Sequence, residues 1–223
     1  MALRESLQDY TDQAAHALGH GIDASVTVRE HGIFLWAASS APAAARCDRT
    51  EFAADDGPCV AAMTQRGIQV VPAVDQEFRW EEWRKQAMRE GYVTAMAVPA
   101  DVGPASHVSL NLYSRTPQDW SGDLAEIAAT CARYIAVGVQ LQLQFSNLED
   151  AVAGVYRDMP DSVAVERAVG AIMASNHCSE PQARQRLREA SEHHRVSERR
   201  IAEQILRSLA TDGDGDILEA HQP

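Results

Sequence analysis

Residues 163–173 read VAVERAVGAIM, and Gly170 sits inside an otherwise regular helical repeat. A glycine in a helix interior costs about 1 kcal/mol relative to alanine, and nothing around it reads as a turn. The cost implies compensation from packing. Val165, Ala168, Val169, Ile172 and Met173 share one face, and a glycine on or beside that stripe is expected to let a neighbouring backbone approach closely. Two further amphipathic segments follow. Ser179-Glu180-Pro181-Gln182 has the spacing of a capping box and leads into Ala183, Leu187 and Ala190 at helical intervals. A third helix starts at Ser197 and stripes Ile201, Ala202, Ile205 and Leu209. Short helices of this kind bury their apolar faces only against one another, so residues 159–209, after the break at Met159-Pro160, are predicted to form a three-helix bundle.

Upstream lies a long helix with a heptad pattern. Stepping by four and three from Ile127 reaches Cys131, Tyr134, Gly138, Leu141, Phe145, Leu148, Val152 and Val155. Such a seam suits a parallel partner helix. The expectation is a helix over residues 124–158 whose first half covers a sheet and whose second half pairs with a sister chain through Leu141, Phe145, Leu148, Val152 and Val155. Before it, strand and helix signals alternate. SVTVREHGIFLWAAS, residues 25–39, has Val26 and Val28 at strand spacing, a His31-Gly32 turn and a second apolar run through Leu35, which predicts a β-hairpin. GIQVVPAV and YVTAMAVPA are short β-branched runs, HVSLNLYS alternates, and EEWRKQAMREGY is helical up to Gly91. That order predicts an antiparallel sheet with helices packed on it, an α+β domain over residues 1–145.

The 223 residues suit one large or two small domains, and 45% hydrophobic content supplies a core. No apolar run approaches the roughly 18 residues of a membrane span, and MALRESLQDYTDQAAH is polar and amphipathic, so no membrane partner and a cytoplasmic location are expected. Cys47, Cys59, Cys131 and Cys178 lack CxxC spacing and read as thiols, with no metal site. The net charge of -12 is uneven: residues 1–145 hold 11 basic against 18 acidic groups, residues 146–209 hold 9 against 10, and residues 210–223 hold 0 against 4. The tail over residues 210–223 reads as disordered. Asp212, Asp214 and Asp216 open like a calcium loop, but Ile217 and Pro223 stand where its glycine and glutamate belong. Residues 184–207 carry seven arginines against four glutamates, with His193 and His194 among them, the one basic surface of an acidic chain.

VERAVGAIM, EPQARQRLREAS and RRIAEQIL together resemble the ANTAR domain, a three-helix RNA-binding module of bacterial transcription antiterminators. Ala168, Gly170 and Met173 fall where that pattern has its alanine, glycine and methionine, and Ala183, Leu187, Arg188, Ala190, Ser191 and Ala202 match the positions that follow. The chain departs from it at Ser162 and Val169, where basic residues are usual, and at Glu198, near a common apolar position. Upstream, EFAADDGPCVAAM, FRWEEW and HVSLNLYS resemble the GAF sensory domain of the actinobacterial type often joined to ANTAR, with Gly57-Pro58-Cys59 and Arg79-Trp80 as the recognisable points. The resemblances imply an N-terminal GAF-like antiparallel sheet with flanking helices, a long coiled-coil linker helix and a C-terminal three-helix ANTAR bundle.

The GAF resemblance implies a pocket for a small-molecule ligand, its identity open, with Cys59, Trp80 and Trp83 as candidate lining residues. Each has a plainer reading: a lone cysteine as a buried small apolar residue, the tryptophans as core. His20, His31 and His107 are too scattered for a metal and read as surface or hydrogen-bonded. There is no Gly-rich phosphate loop, HExxH or GxSxG, and Lys85, the only lysine, fits no phosphoacceptor site, so an enzyme is not expected. The alternative is a thiol enzyme or small-molecule sensor acting through Cys59 with a protein-interaction output. Arg184, Arg186 and Arg188 can pair with Glu180, Glu189 and Glu192 as a wet helix face. Arg188, Ser191, His193, His194, Arg195, Arg199 and Arg200, by contrast, cluster at the turn between the last two helices. Arginine planes and imidazoles stack on unpaired bases and contact phosphates, so this cluster is the candidate RNA surface. The function expected is a signal-responsive antitermination regulator that binds tandem RNA hairpins in nascent transcripts as a homodimer.

Overall fold

The predicted hairpin forms. β1 (Ile22–Glu30) and β2 (Ile33–Ser39) pair antiparallel about His31 and Gly32, both at positive φ, 52° and 80°. The chain is seen as a computed structural model that describes residues 3–153 and 159–210, with the side chains of Trp36, residues 145–153 and Ala210 outside the described set. β3 (Gln69–Val71), β4 (Thr94–Asp101) and β5 (Ser106–Ser114) complete a five-stranded antiparallel sheet in the order β2-β1-β5-β4-β3. The fold is α+β, with eight α-helices among the described residues.

Register decides what each face of the sheet buries. β1 runs against β5 from Ile22 opposite Ser114 to Glu30 opposite Ser106, so alternate residues share a face. Val26, Val28, Met96, Val98, Leu110 and Leu112 lie in the main core under α1 (Leu3–Leu18) and α5 (Gly122–Ala153). On the opposite face, Ser25, Thr27, Ser109, Asn111 and Tyr113 are buried beneath α2 (Pro42–Ala54) and α3 (Pro58–Gln65), with α4 (Glu81–Arg89) against α2. The alternation in HVSLNLYS therefore separates an apolar layer from a buried polar one. Ser109 donates to Asn111, which donates in turn to Ser25, Thr27 and Asp48.

α5 covers the sheet with Ala128, Ala132, Ile135, Ala136 and Val139. The first half of the helix covers the sheet as expected, but through a neighbouring stripe: Ala128, Ala132, Ile135 and Val139 keep the same 4,3,4 steps one residue further on, while of the seam Cys131 and Gly138 are half-buried and the large side chains face outward. Ile127, Tyr134 and Leu141 are 40%, 78% and 49% exposed. One helix cannot give the same residues to its sheet and to a partner. By length and composition Gly122–Gln144 would suffice to cross a membrane; here its alanine stripe is committed to the sheet. Of the seam's later positions, Phe145, Leu148 and Val152 have side chains outside the described set, as does all of Val155, and residues 211–223 lie outside it too.

The three C-terminal helices are α6 (Asp161–Asn176), α7 (Glu180–His194) and α8 (Glu198–Ala210). The capping box is present, with the Ser179 N–H donating to Gln182 Oε1 at 2.9 Å. Ile172, Leu187, Ile201 and Ile205, all 0% exposed, fill the bundle and belong to one core with the sheet, because α6 lies along the edge strand β2. Gly170 is corrected. It faces out, and a Cβ there would meet no atom within 4 Å; two residues beyond inward-facing Ala168 is about 200° around the helix. The close approach is at Gly138, where a Cβ would stand 2.6 Å from Tyr10 Oη of α1.

Candidate nucleic-acid interface

The turn between α7 and α8 is fixed from within. Arg195 adopts the left-handed conformation, φ 54°, and its N–H donates to Glu192 O. Ser191 Oγ donates to Val196 O at 2.6 Å, so Ser191 braces the turn and does not reach outward. Around it Arg188, His193, Arg195 and Arg200 are exposed. Arg188 has its nearest carboxylate, Glu198, at 3.9 Å, and Arg195 and Arg200 form no ion pair among the described residues. Arg199 differs: it pairs with Glu203 at 2.7 Å and with Asp161, tying α8 to the start of α6. Arg184 pairs with Glu166 and Glu180 at 2.7 and 2.9 Å, so the wet-face reading holds for that residue. Arg186 leaves that face altogether.

Arg186 points at the sheet domain. Its Nη1 donates to Asn176 Oδ1 at 2.6 Å and its Nη2 to the Phe52 carbonyl at 3.0 Å, satisfying one of the carbonyls left open at the end of α2. Asn176, 0% exposed, closes the edge of β2: Phe34 N–H donates to its Oδ1 at 3.2 Å and its Nδ2 donates to Phe34 O at 2.9 Å. This is the pairing a neighbouring strand would make. Only one orientation of the amide serves the Phe34 N–H, the Phe34 carbonyl and Arg186 together. At the other end of the contact, Ser208 donates to Glu30 at 2.7 Å. His194 stands edge-on to His31, ring centres 4.5 Å apart, and to His193 at 4.9 Å. Burial, then the neighbouring His194, lower the pKa of His31 to about 4, against a hydrogen bond that the ring donates to Gln204, and its Nδ1 is buried without a partner. His194 is held below the usual range by burial and His193.

The candidate pocket residues do not converge. Cys59 is 0% exposed among Phe34, Phe52 and Met63, its thiol pushed well up by burial and then by the Glu51 and Asp48 carboxylates. It offers solvent no thiolate. Trp80 and Trp83 belong to a separate buried cluster with Val71, Tyr92 and Tyr113 and meet edge to face at 6.2 Å. The Arg79 guanidinium, held by Glu77 at 2.6 Å, lies 4.0 Å over the Trp80 ring. Between the clusters sit two buried acids. Asp48 Oδ1 accepts from Ser25 and Tyr113 at 3.0 Å, and Glu51 Oε2 accepts the Cys59 N–H at 2.8 Å, capping α3. Their other oxygens, Asp48 Oδ2 and Glu51 Oε1, are buried without a partner. Burial raises Asp48 to about 6 against its hydrogen bonds, and burial together with Asp48 raises Glu51 well above the carboxylate range. Gly57, φ 151°, makes room for the cap: a Cβ there would lie 2.2 Å from Glu51 Oε2. Among the described residues no three His, Cys, Asp or Glu side chains are grouped to hold a metal.

The C-terminal unit, three amphipathic helices with a basic turn, has its counterpart among known domains. Residues 156–206 match the ANTAR domain. The match takes in α6, α7 and most of α8. Comparison with curated proteins finds no match. Among solved structures, the GAF domain region of a Geobacter sulfurreducens PCA protein aligns with a TM-score of 0.49 and 16% identity, over 62% of this chain and 93% of that one. The photoproduct state of GAF3 from Slr1393 of Synechocystis sp. PCC6803 aligns at 0.49 and 14%, over 66% and 99%. Within the ANTAR segment, sequence reasoning missed Asn176 and Arg186. The only signal was an asparagine at a helix end, which reads locally as a cap.

Proposed function

We propose that this chain is a signal-responsive, RNA-binding transcription antitermination regulator that binds tandem hairpins of nascent transcripts as a homodimer in the cytoplasm. The match of residues 156–206 to the ANTAR domain carries the reading. Residues 1–145 are the GAF-like sensory domain, open to a small-molecule signal, residues 124–158 the connecting helix, residues 159–209 the RNA-binding bundle and residues 210–223 an acidic tail. Arg188, His193, Arg195 and Arg200 are exposed and charged or stackable at one turn, the equipment for phosphates and splayed loop bases. The output is binding, with no catalytic step.

The second copy docks on the outward seam of α5. Ile127, Tyr134 and Leu141 are 40%, 78% and 49% exposed, with Val137 beside them at 54%, and the seam continues in sequence through Phe145, Leu148, Val152 and Val155. A change in the sheet domain, which α5 covers, would shift the register of the paired helices and so the spacing of two bundles. Each bundle neutralises few phosphates, so affinity comes from bivalent engagement and falls with salt.

The test is binding of the full-length protein to a tandem-hairpin RNA, a scrambled hairpin and duplex DNA across a salt series. Selective binding that weakens with salt is expected. Arg195→Ala with Arg200→Ala should cost roughly tenfold or more in affinity and lower the salt slope by up to about two. Equal binding to duplex DNA, or none to the RNA, would overturn the reading.

A further inference from the structure

A cleft between the hairpin turn and α7 shares only its rim, His193 and His194, with the candidate RNA surface. It encloses about 490 Å³ and is walled by Arg29, His31 and Arg66 from the sheet domain and by Arg186, His193 and His194 from the bundle. Three arginines there face two carboxylates, Asp55 and Glu189, in a chain whose net charge is -12. Asp55 is paired with Arg29 at 2.7 Å, and Glu189 accepts the Gln185 amide at 2.8 Å and keeps its charge, so the three arginines still exceed the carboxylates. Arg186 is half-buried and rests on two neutral oxygens, forming no ion pair among the described residues. Arg66, exposed in the left-handed conformation at the end of α3, also forms none among them. Burial, and then the repulsion of Arg186, draw Arg29 below its usual range against the pull of Asp55. His31 Nδ1 completes the set as a buried polar atom without a partner.

A half-buried guanidinium that shares the one carboxylate, Asp55, with the directly paired Arg29 is under-compensated, and a bidentate oxyanion offsets that cost best. The volume falls within the usual range for small-molecule sites. The geometry points to a binding site for a small ligand bearing a phosphate or pyrophosphate group, gripped by Arg186 from the bundle and by Arg66 and Arg29 from the sheet domain, with His31 and His194 as hydrogen-bonding partners. Such a ligand touches both units and strengthens their docking by mass action. The site is separate from the buried face beneath α2 and α3, where the Asp48 and Glu51 carboxylates would repel an anion.

Inorganic pyrophosphate is the probe, titrated calorimetrically into the full-length protein. One saturable site per chain is expected below roughly 1 mM. Arg186→Gln and Arg66→Ala should each weaken it about tenfold, the scale of one charge-assisted contact. Arg200→Ala, outside the cleft, should leave it unchanged. Arg186 also anchors the bundle, but Arg66 is exposed and holds nothing together, so Arg66→Ala reads binding without a folding defect. Absence of saturation, or equal binding by parent and Arg66→Ala, overturns the proposal. Hairpin RNA distinguishes the two sources of phosphate. RNA binding that pyrophosphate displaces and Arg66→Ala weakens would assign the cleft to the transcript backbone and overturn the small-ligand assignment. RNA binding indifferent to both upholds it, and failure of RNA binding altogether leaves the pyrophosphate result standing by itself.

Discussion

Replacing Asn176 with alanine should loosen the bundle from the sheet. The side chain is 0% exposed and makes two bonds to the backbone of Phe34, at 3.2 and 2.9 Å, on an edge strand with no other neighbour on that side. It also receives Arg186 at 2.6 Å. Alanine leaves a buried N–H and a buried C=O unpaired, each costing about 1–3 kcal/mol. Arg186 keeps its bond to the Phe52 carbonyl, and water entering the gap recovers part of the loss, so about 3 kcal/mol is expected. Amide hydrogen exchange of the full-length protein reads this at the right place, because the Phe34 N–H is the bond removed. A loss of about 3 kcal/mol corresponds to exchange faster by roughly a hundredfold. The Phe34 amide and the helices α6 and α7 should accelerate together, while the β1–β5 amides at the centre of the sheet stay protected. If Phe34 exchanges within about threefold of the parent, a difference under about 1 kcal/mol, Asn176 is not what closes the strand edge.

Gly57→Ala should cost about 3 kcal/mol or more, because the new Cβ would fall 2.2 Å from Glu51 Oε2 at φ 151°; denaturant unfolding within about 1 kcal/mol of the parent would show that Glu51 moves aside freely. Gly170→Ala should stabilise by up to about 1 kcal/mol, since the position is helical, exposed and open; a destabilised variant would mean the position is not open. Asp48→Asn should remove a pH dependence. Folded Asp48 titrates at about 6 against an ordinary 3.8, so the folded state holds a proton that the unfolded state has lost, and the parent gains stability as pH falls through about 6 toward about 4, by roughly 3 kcal/mol. His31, lowered to about 4, pulls the other way in the same window and is common to both proteins, so the parent-minus-Asn difference reports Asp48 together with its coupling to Glu51. Parallel stability curves would refute the assignment.

What the sequence made legible rested on short-range pattern. The hairpin was readable because the His31-Gly32 turn and its flanking alternation lie within a few residues, and the capping box because Ser179 and Gln182 are three apart. The heptad seam was read correctly as an apolar stripe but assigned one task too many. A second stripe with the same spacing, Ala128 to Val139, looks unremarkable beside it because alanines carry little hydrophobic signal, yet small side chains are what let α5 lie close to the sheet. The two glycines mark the same limit. A helical glycine signals either a close neighbour or an open face, and periodicity cannot say which: Gly138 has Tyr10 against it, Gly170 has nothing. Nothing local in the sequence marks Asp48 and Glu51 for burial; the sheet's second layer covers them.

The residues that join the two units were illegible for a different reason. Asn176 finds Phe34 at 142 positions' remove and Arg186 finds Phe52 at 134, and no local rule marks a residue for so distant a partner. Their arrangement bears on how RNA binding is governed. Arg186 and Arg188 lie two residues apart on α7, so about 200° of rotation separates them: one holds the sheet while the other is turned to solvent with Arg195 and Arg200. Docking therefore does not cover the arginine face. Of the candidate RNA residues, only His194 is committed to the junction, through His31. A bundle that stays docked can still present its arginines, so under the proposed function the sheet domain would act on RNA through where it holds each bundle. On the proposed function, control would then lie in the register of α5 and in whatever occupies the cleft between hairpin and bundle, not in an on–off shielding of the arginines.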